Sequence, residues 1–537
     1  MIKITLRNYR GFTSESPATF IIGDGFTAFV GRNNAGKSTC LRSIFELKNV
    51  IANHNFWLGF DVNNDPITIQ CPAEPDPSVL LNYDNTAPAF VSIEIEPDTD
   101  SDMDQFIQST IKIDRNGDVF LKSIKLLRGG SNQEFTPPFK NINVSHADGK
   151  AQLTTLTGME LTFTFSKFIQ TLISLSQSVY YGSYRNAINQ GAAQYYDIAV
   201  GTQIIAQWDQ WKAGPNVASK RAVATVQSDI KRLLGYDSLE INASSDNMTL
   251  DVIVNGHPFK LADLGAGVAE LIITLSNALV RKPSFIFIDE PESHLHPSLQ
   301  VDFLTTLAGY ATKGIAFATH SIGLARSVAD RTYAITRQNE ISSCAIFEKQ
   351  AHLAELLGNL SYSGYNPAEN AFVLLVEGTT EVKTFQVLLR KLKKDHAYVI
   401  LPLGGKSLIR ENTDVEINEV VRIAGGANKV FAIIDSERKE KDVDLDKEHK
   451  AFKSTCKKLG ISLLVTERRA TENYFSEIAI KKGVGNNFSA LPEFCKLGED
   501  GKGWNKNENW RIADSETLEF FKTHDLGKFL NELPTKN

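Results

Sequence analysis

The 537-residue sequence holds no run of eighteen apolar residues, so no transmembrane helix is expected. Its first residues, MIKITLRNYRGF, alternate as a strand does and lack the apolar centre of a signal peptide. Cysteine is scarce: Cys40, Cys71, Cys344, Cys456 and Cys495 are odd in number, widely scattered and form no CxxC pair. That argues against a disulfide framework or a zinc site, and a reducing cytoplasm is the expected compartment. No internal repeat or low-complexity tract stands out, which argues against a solenoid or a biased linker. An excess of basic residues is also missing. The net charge of −6 speaks against a surface coated for nucleic acid. The balance is uneven, however: residues 1–369 hold 29 Lys+Arg against 37 Asp+Glu, and residues 370–537 hold 28 against 26. A local basic groove stays open.

What is present is ordinary for a globular chain long enough for about two to four domains. Residues 1–60 read strand, hairpin, strand, loop, helix, through IKITLRNY, ATFII, FTAFVG and GKSTCLRSIFELKNVI. Residues 61–90 read as loop with one short strand, and alternating runs from FVSIEIEP to MELTFTF read as an antiparallel meander. Helical periodicity then spans residues 166–234, and a second strand–helix alternation follows. The expected division is 1–165 and 235–358 for one α/β unit, 166–234 for a helical insert, 359–370 for a linker and 371–537 for a second α/β unit. Trp208 and Trp211 in the insert suit either an apolar contact face or packing within their own domain.

GRNNAGKST, residues 31–39, fits G-x-x-x-x-G-K-[ST] between an apolar strand and a helix. Gly31 and Gly36 let backbone N–H groups, including those of Asn33, Asn34 and Thr39, face phosphates at a helix start. Lys37 neutralises the β- and γ-phosphates, and Ser38 offers a hydroxyl to Mg²⁺. FIFIDEPESHLHP, residues 285–297, is an apolar strand that ends in Asp289, suited to Mg²⁺, and Glu290, suited to orienting the attacking water. The strand GIAFATHS brings His320 to sense a γ-phosphate.

This set resembles the ABC-type ATPases, specifically their SMC-like branch, and PESHLHPSLQ strengthens the likeness. The resemblance implies ATP held between two heads, with a signature turn supplied in trans. LADLGAGVAELI carries Gly265 and Gly267 in a loose form of that turn. No Q-loop glutamine is assignable, and Arg185 fits a phosphate contact and a structural role equally.

AFVLLVEGTTEVKTF places Glu377 at a strand exit and Glu381 four residues later on the first helical turn. The pair suits a divalent metal, and equally suits complementing the helix dipole. The sequence continues with Gly404-Gly405-Lys406 after one strand, Asp435-x-Glu437 after the next, and Glu472 in RRATENYF. This order resembles the TOPRIM fold with its central parallel sheet. An SMC-like ATPase followed by TOPRIM is similar to the OLD (overcoming lysogenisation defect) nucleases, which include Gabija-type and retron-associated phage-defence effectors. The likeness implies Glu377, Glu381, Asp435 and Glu437 as Mg²⁺ or Mn²⁺ ligands, Glu472 as a metal or supporting residue, and an assisting C-terminal lysine, for which Lys528 is the candidate. Asp-Ser-Glu departs from the usual Asp-x-Asp, which bears on metal preference and rate.

The expected function is an ATP-controlled, metal-dependent DNA endonuclease that forms a homodimer or higher oligomer through its heads and helical insert. A defence partner protein or RNA is a further expectation, and a membrane is not. The alternative is an ATP-gated clamp whose second unit only binds nucleic acid. A primase or topoisomerase reading finds no zinc motif and no evident tyrosine-nucleophile domain.

Overall fold

Alternation of buried and half-buried side chains along Ile2–Arg7 and Ala89–Ile95 marks strands with one face on a core. They pair antiparallel, with Ile4 opposite Ile93. Around them runs a ten-stranded sheet whose main path is Ala18–Ile22, Ile2–Arg7, Ala89–Ile95, Gln105–Ile113, Glu160–Thr164, Lys150–Thr154, Asn141–Ser145. Helix Ser166–Ser176 lays Phe168, Leu172 and Leu175 into the same core. The structure, a computed structural model, describes every residue except 62, 71–75, 83–86, 100–102, 184–193, 245–248, 339, 348–371, 404–416, 419, 422–423, 500–502 and 536–537. Arg185, Gly404, Gly405, Lys406, Cys71 and the expected linker lie outside the described residues.

Gly25–Val30, Phe285–Asp289 and Gly314–Thr319 are buried at every position, as strands covered on both faces must be. They form the middle of a six-stranded sheet ordered Val179–Tyr181, Phe285–Asp289, Gly314–Thr319, Gly25–Val30, Arg331–Gln338, Ile341–Ile346. All neighbours are parallel except the last pair. Parallel pairing brings the glycine loop, Asp289 and His320 to one edge of the sheet, where ligands of such sheets bind.

The stretch 166–234 holds two further helices, Gly201–Ala213 and Val217–Leu233, beside its first, and its elements join more than one part of the fold. Its first helix belongs to the antiparallel lobe, Val179–Tyr181 is an edge strand of the parallel sheet, and Gly201–Ala213 packs on the central core. Trp208 is fully buried and donates to the Ile241 carbonyl at 3.1 Å, so it packs within its own domain. Trp211 lies partly buried against the same core.

The second unit is a four-stranded sheet, parallel throughout, in the order Tyr398–Pro402, Phe372–Val376, Val430–Ile434, Ser462–Val465. The amphipathic helix Thr379–Lys391 covers one side and joins it to the first unit. Lys383, 1% exposed, pairs with Asp330, 2% exposed, and lies 5.0 Å above the Phe26 ring. Asp330 also accepts from the Phe26 N–H at 2.8 Å. Gln386 donates to the buried Asp302 of helix Pro297–Ala308, and Arg232 bridges Asp395 and Thr306 at 3.0 and 2.9 Å. One apolar core therefore runs from Phe26 and Ile286 to Phe385 and Trp510. Among the described residues, no helix is long and apolar enough to cross a membrane, and the four cysteines are free.

Candidate functional site

The glycine loop is shaped by backbone demands that only glycine meets. A Cβ on Gly31 would stand 2.1 Å from the Ile335 carbonyl oxygen. Gly36, at φ +110°, caps helix Lys37–Glu46 in the left-handed region, and no side chain caps that helix start. Its first N–H groups thus face outward beside the exposed Asn33, Asn34 and Ser38, with Thr39 half-buried. Lys37 is buried, and its ammonium donates to the Gly31 and Arg32 carbonyls at 3.1 and 3.0 Å and lies 3.1 Å from His320 Nε2. Burial lowers the Lys37 pKa, while Asp289, Glu290 and Glu292 act against that shift. A cavity of ≈ 250 Å³ flanks the loop, lined by Arg10, Asn34, Thr39 and Arg337 among others.

The acids stand where parallel pairing puts them. Asp289 accepts a 2.8 Å bond from the buried Tyr180 hydroxyl, whose own pKa is raised by burial and by that carboxylate. Glu290 adopts φ +48°, held by its N–H on the Ala318 carbonyl at 2.8 Å, and its carboxylate meets His320 Nε2 at 3.3 Å. Glu292 accepts from the Thr319 hydroxyl at 2.6 Å and the His320 N–H at 2.9 Å. Tyr180 and Glu292 thus belong to the network around Asp289 and His320 without being part of either motif. The DE-P-E spacing held a signal for Glu292, whereas Tyr180 had none.

Gly265 and Gly267 differ in environment. Gly265 is exposed at the uncapped start of helix Ala266–Arg281, with open space around its Cβ position. Gly267 packs so tightly that a Cβ would meet the His294 carbonyl oxygen at 2.4 Å. Glu270 on the same helix faces His294 at 3.4 Å, tying this turn to the segment after Asp289.

In the second unit the strand exits gather Glu377, Glu381, Asp435 and Glu472, of which the last three are at least 95% buried. Glu377 accepts the Asp435 N–H at 3.3 Å, and Asp435 Oδ1 accepts from the N–H and hydroxyl of Thr471 at 2.9 and 3.0 Å. At the centre stands Lys506, 3.1 Å from Glu381, 3.1 Å from Glu472 and 3.8 Å from Asp435. Burial raises the pKa values of Asp435 and Glu377, and the neighbouring carboxylates raise them further. Burial alone would lower Lys506, but Glu381, Asp435 and Glu472 overturn that and hold it well above the ordinary lysine value.

Two expected members stand elsewhere. Glu437 forms a 2.7 Å ion pair with Arg469 and is half exposed at the rim. Lys528 is exposed on helix Asp525–Glu532, turned to solvent. Among the described residues, no three acidic, histidine or cysteine side chains are disposed to hold a metal as they stand, and the Lys506 ammonium occupies the space between the acids. The donor set nonetheless suits a divalent cation. Asp435 Oδ2 and Glu472 Oε2 are buried without a hydrogen-bond donor, and three carboxylates face one ammonium.

Comparison with known proteins bears on the first site. The family described as "AAA domain, putative AbiEii toxin, Type IV TA system" matches residues 196–326, which include Gly265, Asp289 and His320. The "Uncharacterized amino-acid ABC transporter ATP-binding protein YhdZ" of Escherichia coli (strain K12) is 32% identical over 98 residues, 18% of this chain. The chain spans only 39% of that relative's length. The SMC head domain from Thermotoga maritima superposes with a TM-score of 0.33 at 15% identity, over 65% of this chain and 98% of that one. An Smc head bound to the C-terminal domain of ScpA, derived from Pyrococcus furiosus, gives 0.36 at 12%, over 65% and 97%. The family match and the curated relative support an ATPase domain of the ABC type in this chain.

Proposed function

We propose that the chain is an ATP-hydrolysing head fused to a metal-dependent DNA endonuclease of TOPRIM type, resembling the OLD family and acting in phage defence. One observation carries the nuclease half: three buried carboxylates at the exits of a parallel sheet, Glu381, Asp435 and Glu472, surround one lysine, with two buried oxygens lacking donors. A bound divalent cation would activate water and stabilise the leaving oxygen during phosphodiester cleavage. Glu377, Glu381, Asp435 and Glu472 would hold it, and Lys506 would release them to take a phosphate oxygen. Glu437 would join only by leaving Arg469. In the head, Lys37 would move from its loop carbonyls to the phosphates, Ser38 and Asp289 would hold Mg²⁺, and Glu290 with His320 would position the attacking water.

The open surroundings of Gly265 support its role as a turn offered to a second head, which makes the assembly a pair of heads. Lys37→Ala should weaken nucleotide binding about 100-fold, since a charge-assisted bond to phosphate is lost. Titration with a fluorescent ATP analogue measures this, and an affinity within threefold of the unmodified chain would remove Lys37 from the site.

The nuclease half is tested by incubating the full chain with supercoiled, linear and single-stranded DNA in Mg²⁺ or Mn²⁺, with and without ATP. Cleavage that EDTA stops is expected. No cut under any of these conditions, with nucleotide binding intact, would favour an ATP-gated clamp. The ammonium seated among the acids and the Glu437–Arg469 pair favour that second reading.

A further inference from the structure

A second polar cavity, of ≈ 270 Å³, lies at the opposite edge of the parallel sheet from the glycine loop. Its walls come from the amino ends of four strands: Gly23 and Asp24 lead into Gly25–Val30, Phe285 opens its strand, Lys313 precedes Gly314–Thr319, and Arg331 opens Arg331–Gln338. Lys167 enters from helix Ser166–Ser176, and Asn505 enters from the second unit. Three cationic side chains thus line it against one acid, Asp24, in a chain whose net charge is −6. Lys167 and Lys313 are exposed, and Lys167 donates a long 3.4 Å bond to the Pro97 carbonyl. The wall residue Asn505 is followed directly by Lys506, whose ammonium stands among the catalytic acids.

We infer that this cavity binds backbone phosphates of the nucleic-acid strand presented to the carboxylate cluster. The inference rests on the nuclease reading and names the surface that holds its substrate. A strand approaching four carboxylates is repelled unless cations nearby offset its charge, and phosphate contacts fix position without reading sequence. Lys167 and Lys313 supply that charge on separate elements of the head, while Arg331 is the half-buried third cation. The strand therefore spans both units: it is held by the head and cut in the second unit.

The test uses the full chain carrying Glu377→Gln, so that no strand is cut, and a short labelled duplex of mixed sequence followed by fluorescence anisotropy across a salt series. Adding Lys167→Gln and Lys313→Gln should weaken binding about tenfold and reduce the slope of log K against log salt by about 2. Thermal melting checks that both exposed substitutions leave the fold intact. An unchanged slope with an unchanged melting temperature overturns the proposal. So does loss of ADP binding, but not duplex binding, when the two changes are made in a Lys37→Ala chain, because the cavity would then hold free nucleotide. The two readings fail separately. A chain that cuts DNA yet shows no slope change loses the cavity and keeps the nuclease; one that never cuts but loses the slope keeps only the strand contact.

Discussion

Replacing Lys506 with Met should lower DNA cleavage about 10²–10³-fold and destabilise the metal-free protein by about 2 kcal/mol. The side chain is 40% exposed, so solvent discounts the larger cost of breaking a fully buried pair. What remains comes from Glu381, Asp435 and Glu472, which lose the cation they share. The pH dependence has a definite sign. Asp435 and Glu377 are raised above their unfolded values, so the stability they contribute is present at acid pH and lost as pH rises through their folded pKa values. Lys506→Met should steepen that loss, and a divalent metal should restore the melting temperature without restoring cleavage. If metal restores both, Lys506 is only a structural counter-charge. Lys528→Ala, made in parallel, should change neither.

The second large effect concerns the join between the units. Lys383→Met should cost about 3 kcal/mol, read as a shift in the denaturant midpoint. Lys383 and Asp330 are both essentially buried, so removing the ammonium strands a carboxylate whose remaining described partner is the Phe26 N–H. Asp330→Asn keeps an acceptor for that N–H but leaves the lysine unpaired. The double variant should therefore be less damaged than the sum of the singles by about 2 kcal/mol. A single-variant effect below about 1 kcal/mol would show that the pair is not what fixes the helix. The same helix carries Glu381 two residues before Lys383, so any tilt that breaks the pair also moves a carboxylate of the cluster.

Much of this was legible in the sequence, for identifiable reasons. The loop 31–39, Asp289, Glu290 and His320 follow a spacing that backbone geometry enforces. Glu377, Glu381, Asp435 and Glu472 stand near the ends of short elements that periodicity marks well. Lys506 was hidden because it lies in GKGWNKNENW, where no period separates an inward lysine from a surface one. Lys528 followed from the resemblance alone, which implies a C-terminal lysine, and its helix turns it to solvent. Val179–Tyr181 was absorbed into a helical stretch because a three-residue strand after an eleven-residue helix carries too little pattern to be read. Lys383 looked like an ordinary polar position of an amphipathic helix, because only the docked units create its burial.

The self-contacts of Lys37 have a consequence for ligand choice. Its ammonium already has two carbonyl oxygens and a ring nitrogen, so an incoming molecule must outbid three partners at once. A chain of phosphates offers several anionic oxygens to one ammonium, and so can replace all three where a single oxygen replaces one.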